Sequence, residues 1–247
     1  MNNIQSDSDR FLIAYNSIDQ FLRNECKDNY NTGFKTLVNI ISESNRTINY
    51  YQDILKQYGR LRNAIVHGKC KSYDVIAEPH EKIVDDIERI EKIILNPPKV
   101  FSSFCKSQKT VYTLDKHSSI KQAIAIMKDK KYSQIPIVTK HENFHDLLTA
   151  NTISLWLAIN IKDEGILLEN TECLIENVLE CKEKDWEEHK FISRNAEVFE
   201  ALEHFNLSIK NGKQLSALLV TQNGKKTEKI LGIVTAADLP KILNDCY

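Results

Sequence analysis

The stretch "LRNAIVHG", residues 61–68, sets an arginine, a carboxamide and an imidazole close together just before a glycine. Arg62 offers a planar, permanent cation that can grip two phosphate oxygens at once. His67 can accept or give a proton near neutral pH. Asn63 can orient a ribose or a phosphate oxygen. Such a set suits metal-free phosphodiester chemistry, in which a base takes the proton of an attacking 2′-hydroxyl. An acid then protonates the departing 5′ oxygen while a cation steadies the crowded phosphorane. The same residues also fit a plainer description, with Arg62 a solvated charge and His67 a cap on free helix carbonyls.

The segment that must position them is helical. Four apolar stripes follow the i, i+3, i+4, i+7 rule in the first hundred residues: Phe11 to Leu22, Phe34 to Ile41, Ile48 to Ile65, and Ile83 to Ile94. "SDSD" before the first, Gly33 before the second and Pro79 near the start of the fourth are matching start signals. Short connections between four such stripes predict an antiparallel four-helix bundle over residues 1–96. On a regular helix, positions five apart differ by about 140°, so Arg62 and His67 do not share a face. Either Gly68 ends the helix and frees His67, or two copies of the bundle each contribute to one cleft.

Bulk properties narrow the field. The net charge is -1, with 42% hydrophobic and 27% charged residues, so no global field draws the chain to nucleic acid or anionic membrane. Any RNA contact has to come from a local basic patch. The six cysteines are scattered without C-x-x-C pairs, which predicts free thiols in a reducing cytosol and no metal site. The polar start, "MNNIQSDSDR", predicts no secretory signal, and no apolar run reaches membrane-spanning length. A cytoplasmic location is the resulting expectation.

After "LNPPKV" the pattern changes to strand-like runs, "TVYTL", "QIPIV", "HKFIS" and "SALLVTQ", separated by helical stretches. This half also repeats. "LDKHSSIKQAIAIM" (114–127) aligns with "ISRNAEVFEALEHF" (192–205), and "DLLTANTI" (146–153) with "GIVTAADL" (232–239). Between them "SQIPIVT" aligns with "SALLVTQ" at a one-residue shift that sets Pro136 on Leu218. Each unit is expected to run strand, helix, strand, strand, helix, and the two to bury each other's open sheet face. The whole chain is therefore expected to be an α+β protein of two domains. The helical bundle fills 1–96 and an α/β module fills 97–247, with repeats at about 100–160 and about 186–247.

Gly232, Ile233, Val234, Thr235 and Asp238 conform to the signature of CBS domains, and "SQIPIV" matches that family's apolar-Pro-apolar strand. The second half thus resembles a tandem CBS pair, or Bateman module. The resemblance implies an adenine nucleotide (ATP, ADP or AMP) as a regulatory ligand in the cleft between repeats. Asp238 would accept from ribose hydroxyls and the Thr235 hydroxyl would donate to a phosphate. The base would lie near Val111, Tyr112, Ser133 and Gln134, with Ile233 packed on it. In the first repeat Asp146 replaces the glycine and Thr152 the aspartate, although Thr149 is kept. One occupied site, around Asp238, is expected.

The first half resembles the HEPN superfamily of helical bundles, whose motif is an arginine, four to six residues, then a histidine. Arg62, Asn63 and His67 match at four intervening residues and Arg60 at six. The resemblance implies a dimeric, metal-independent endoribonuclease with Arg62, Asn63 and His67 as its catalytic set and no cofactor for catalysis. Lys69 and Lys71 would hold flanking phosphates. A bundle that only dimerises, docks a partner or binds RNA without cutting it is the alternative, in a protein that senses a nucleotide but catalyses nothing.

Overall fold

The structure is a computed structural model and describes residues 6–27, 31–66, 78–105, 111–139, 142–162, 165–166, 173–182 and 186–240. The chain divides between Pro98 and Lys99 into two compact units.

The first unit is helical. Helix α1 (Asp7–Cys26) begins inside "SDSD" rather than after it, because the Ser6 hydroxyl caps it by accepting the Asp9 N–H at 3.1 Å. Helices α2 (Phe34–Ser42), α3 (Arg46–Tyr50), α4 (Gln52–Val66) and α5 (Glu81–Leu95) follow. The third apolar stripe, expected as one helix, is thus two. Tyr51 ends α3, and the break is tied down by side chains: Asn49 donates to the Ser42 carbonyl at 3.1 Å and Gln52 to the Ser42 hydroxyl at 2.7 Å. These bonds satisfy groups that an unbroken helix would have turned elsewhere. Just after Pro79, His80 caps α5 through its ring Nδ1, which accepts the Lys82 N–H at 3.2 Å.

Helix α1 packs against α5, α2 and α4. Phe11, Ile18 and Leu22 on α1 are fully buried, as are Leu37 and Val38 on α2, Leu55 on α4, and Val84 and Ile87 on α5. Each such side chain is worth roughly 1.5–3 kcal/mol. Phe11 meets Tyr58 edge-on at 5.7 Å between ring centres.

The second unit opens with a π-helical turn, Phe101–Cys105. Its first repeat contains β1 (Leu114–Asp115), α6 (Ile120–Lys130), β2 (Gln134–Val138), β3 (Phe144–Thr149) and α7 (Ala150–Asn160). A pair of short antiparallel strands, β4 (Ile161–Lys162) and β5 (Gly165–Ile166), and helix α8 (Ile175–Leu179) lie between the repeats. The second repeat contains β6 (Glu187–Ser193), α9 (Val198–Lys210), β7 (Gln214–Thr221), β8 (Gly232–Val234) and a 3-10 turn at Ala236–Asp238.

Both sheets share one plan. β1 runs parallel to β2 and β2 antiparallel to β3, just as β6 pairs with β7 and β7 with β8. The run "TVYTL" is strand only at its end, since β1 begins at Leu114. Register corrects the repeat alignment as well. Ile137 lies opposite Leu114 and Asp146, and Val220 lies opposite Ile192 and Gly232. Ile137 and Val220 are therefore counterparts, and Pro136 falls on Leu219, not on Leu218. No shift is needed, and Ser133 corresponds to Ser216.

The sheets meet through Phe144 and Leu147 of the first repeat and Ala217, Leu219 and Ile230 of the second, with Val111 and Ile233 packed at the margin. Chain order is also crossed. Val100 donates its N–H to the Ala196 carbonyl at 2.9 Å, and Phe101 to that of Arg194 at 3.3 Å. The Arg194 guanidinium then lies 4.4 Å from the Phe101 ring centre.

After β7 the chain turns at Asn223-Gly224, where Gly224 has φ +78° and an added Cβ would stand 3.1 Å from the Ser193 nitrogen. Left-handed backbone costs a non-glycine residue about 1–2 kcal/mol. Gly224→Ala is expected to lower stability by at least that amount, read as a reduced urea midpoint with unchanged slope.

Candidate functional site

Two concave regions, one in each unit, are lined by described residues that the sequence singles out. The first is a cleft of about 310 Å3 in the tandem module. Val111, Tyr112, Ser133, Gln134, Ile233, Thr235 and Asp238, the seven positions expected to meet a nucleotide, all line it. Lys131, Tyr132 and Ala237 line it too and were not singled out. Tyr132 stands beside Ser133 in sequence, and its ring centre is 6.0 Å from that of Tyr112. Both rings are exposed, so the cleft offers aromatic faces to a planar group. Lys131 ends α6 with φ 57°, a left-handed residue where glycine would be the usual choice. No glycine marks the turn, which hid it from sequence reading.

The signature segment is held by its own hydrogen bonds. Asp238 Oδ2 accepts the Thr235 N–H at 3.0 Å and the Thr235 hydroxyl at 3.1 Å. The Thr235 side chain in turn receives the Asp238 N–H, closing a capping box. The Thr235 hydroxyl is thus engaged with Asp238. Asp238 closes a 3-10 turn that runs directly into helical Leu239 and Pro240, the last described residues. Across the cleft, Ser133 donates to Gln134 Oε1, and Gln134 Nε2 donates to the Ser216 carbonyl of the other repeat at 3.2 Å. Behind the signature lies the Cys105 thiol, pushed up to about 12 by burial and secondly by the Asp238 charge. A thiol held neutral there is inert packing. Cys26, Cys105, Cys173 and Cys181 are all free.

The first repeat's departures from the signature have structural partners of their own. Asp146, in the glycine position, accepts from Lys182 Nζ at 2.6 Å, and the Lys182 side chain is only 6% exposed. Burial pushes the Asp146 carboxyl upward, but Lys182 outweighs it and the group ends below its ordinary value. A depressed carboxyl adds stability above its unfolded pKa, and that stability is lost as pH falls through the folded value. Asp146→Ala leaves a buried ammonium without its carboxylate. Breaking a fully buried pair costs about 3–5 kcal/mol, and the partial exposure of Asp146 lowers the expectation to about 2–4 kcal/mol. Thermal unfolding of both proteins at pH 7 and pH 3 checks this: the gap is expected to narrow in acid.

The second region is a cleft of about 480 Å3 in the helical unit, between α1, the start of α2 and α4. Arg62 and Asn63 line it, and Arg62 Nη1 reaches Asn63 Oδ1 at 3.4 Å. Arg23, Lys35, Lys56 and Arg60 line it too, with Asp19 the single carboxylate among the described lining residues. Arg23 is paired to Asp19 at 2.8 Å and 3.1 Å. Gly59 lets the Phe34 ring approach α4, where a Cβ would meet it at 3.1 Å. Lys56, Arg60 and Asn63 follow i, i+4, i+7 spacing on α4, a signal present in the sequence. Lys35 and Arg23 come from other helices and gave none. Helix α4 is described to Val66, and His67, Lys69 and Lys71 lie outside the described residues. Among the described residues no His/Cys/Asp/Glu cluster suits a metal ion, and no helix is long and apolar enough to cross a membrane.

The sequence profile of the CBS domain matches residues 106–158, the first repeat. No curated protein matches the chain. Solved structures similar to it include a CBS domain-containing protein of unknown function from Bacillus anthracis, at 20% identity and TM-score 0.43 over 60% of this chain and 93% of that one. CBSX2 in complex with AMP is similar at 13% identity and TM-score 0.42, over 59% of this chain and 96% of that one. CbpB in complex with c-di-AMP is similar at 13% identity and TM-score 0.43, over 66% and 93%.

Proposed function

We propose that the chain is a nucleotide-responsive regulator whose tandem CBS-like module binds one adenine nucleotide in the Asp238 cleft. One observation carries this reading. Seven residues chosen for a nucleotide, from both repeats and separated by up to 127 positions in sequence, line a single cavity of about 310 Å3. That volume lies at the small end of ligand pockets, about 300–1,000 Å3, which suits one nucleotide. Asp238, fixed by Thr235, presents a carboxylate for a ribose diol, and Tyr112 and Tyr132 flank the base. Titration calorimetry with AMP, ADP and ATP tests it. A saturable heat at one ligand per chain is the expected result, and no heat with any of the three rejects the reading.

A second reading concerns the helical unit and is favoured by its basic cleft. The chain is nearly neutral, yet five cations line that cleft against one carboxylate. This is the local basic patch that an RNA strand requires on such a protein. In this reading the unit is a metal-independent endoribonuclease. Arg62 steadies the phosphorane, Asn63 orients the ribose or phosphate, and His67 moves the proton. A homodimer supplies two such sets, and the nucleotide in the module sets how active they are. Incubation of purified protein with mixed RNA in EDTA separates the outcomes. Cutting supports the enzyme, a gel shift without cutting supports a binder, and neither leaves the nucleotide sensor alone.

A further inference from the structure

Two asparagine–glycine steps occur in the sequence, Asn211-Gly212 and Asn223-Gly224, and a lysine follows each. Such a step can modify itself. The glycine amide nitrogen attacks the asparagine Cγ and a C–N bond forms. The Cγ–Nδ2 bond then breaks, and Nδ2 leaves as ammonia with the proton of the attacking amide. Water opens the resulting ring to aspartate or to isoaspartate, so no oxidant or cofactor is needed. Glycine favours the attack because no Cβ shields its nitrogen. With the same Asn-Gly-Lys at both places, an unfolded chain treats the two steps nearly alike, and the fold decides between them.

Asn211 caps the C-terminus of α9 and is exposed. Its backbone N–H bonds to the Leu207 carbonyl at 3.0 Å, but among the described residues no hydrogen bond holds its carboxamide. Gly212 has φ +67°, and a Cβ added there would meet nothing within 4 Å, so the step stands open to water. The Gly212 nitrogen makes one neutral bond, to the Ile209 carbonyl at 3.0 Å, at a helix end, where helices fray. Asn223 is clamped instead. The Glu228 carboxylate accepts the Asn223 N–H and Asn223 Nδ2, each at 2.7 Å, and the Lys225 N–H at 3.4 Å. The Asn223 side chain and backbone draw the Glu228 carboxyl down to about 2, so it is ionised at neutral pH. Bonds to an ionised group are roughly twice as strong as neutral ones. Ring closure expels the very nitrogen that Glu228 holds, so this bond must be given up on the way. We propose that Asn211 is the deamidation site of the folded protein and that Glu228 shields the twin step at Asn223. A carboxylate gained at Asn211 would stand at the C-terminal end of α9, where the helix dipole disfavours negative charge.

Incubation of the full chain in mildly alkaline buffer tests this, with peptide mapping by mass spectrometry to count aspartate and isoaspartate at each step. In the native parent, conversion at Asn211 is expected to run at least about tenfold faster than at Asn223, a ratio that one hydrogen bond to a charged group supplies. In guanidinium chloride the two rates are expected to converge. Glu228→Ala is expected to speed conversion at Asn223 by about tenfold and to leave Asn211 unchanged. General unfolding of the variant would speed both steps, so the unmoved rate at Asn211 serves as the internal control. Should Glu228→Ala not fold, Glu228→Gln removes the charge and keeps the shape, and the same rise at Asn223 is expected. Native conversion at Asn223 as fast as at Asn211, no conversion at either, or a Glu228 variant that leaves Asn223 as slow as in the parent overturns the proposal.

Discussion

In the proposed endoribonuclease, Arg62→Ala is expected to slow metal-free RNA cleavage by about 100-fold or more, measured as the initial rate in EDTA. The basis is electrostatic. Charge accumulates on the phosphate oxygens as the 2′-oxygen attacks, and removing one preorganised donor to such charge typically costs about 10²–10³ in kcat. His67→Ala removes a proton transfer worth about 10²–10⁴-fold. Because the two act on one transition state, the double variant should lose far less than the product of the single losses. Lys56→Ala and Arg60→Ala are expected to behave differently. If they hold flanking phosphates, they raise KM, leave kcat nearly unchanged and flatten the salt dependence, by a slope of about 0.7 for each single-strand phosphate no longer neutralised. An Arg62→Ala protein that cuts within twofold of the parent rate would remove Arg62 from the chemistry.

The second large effect is on nucleotide affinity. Asp238→Ala is expected to weaken AMP binding by about 10–100-fold. Hydrogen bonds to a charged group are worth about 1.5–3 kcal/mol, and about 1.4 kcal/mol is a factor of ten. The carboxylate has a structural task as well, holding the Thr235 N–H and hydroxyl, so the variant should also lose about 0.5–2 kcal/mol of stability as a broken cap. Chemistry on the ligand separates the two. The parent should bind 2′-deoxy-AMP more weakly than AMP, and Asp238→Ala should bind both alike. Equal preference for the two ligands in the parent would show that no ribose diol meets Asp238.

Much of this could be read from spacing alone. The apolar stripes mark helices because each position on a helix finds its neighbours three and four residues away. Ala123 and Ala201, paired by the repeat alignment, are both completely buried on α6 and α9. The residues expected to meet a nucleotide fall in one cleft because the signature and the repeat fix them locally. What escaped depends on contacts between distant positions. The break at Tyr51 is set by Ser42, which lies on another helix. Glu187 reads as one more acid before a strand until its bonds to Thr149 and Ser216 are known, 38 and 29 residues away. The basic cleft gathers Arg23, Lys35 and Lys56 from three helices, and no window of sequence contains them all. The one-residue error in the β2–β7 alignment has the opposite origin: with apolar residues at nearly every position of both runs, only the ladder could choose the register.

The segment before β1 has a consequence for how this module can be cut or inherited. Val100 and Phe101 bond to Ala196 and Arg194, so the leading edge of one repeat is stitched to the start of the other. Dividing the chain between α7 and β6 would separate partners on both sides of the cut. A gene fragment encoding either repeat by itself would leave a sheet face bare and those carbonyls unanswered. The two repeats are therefore expected to be transferred, expressed and melted as one piece.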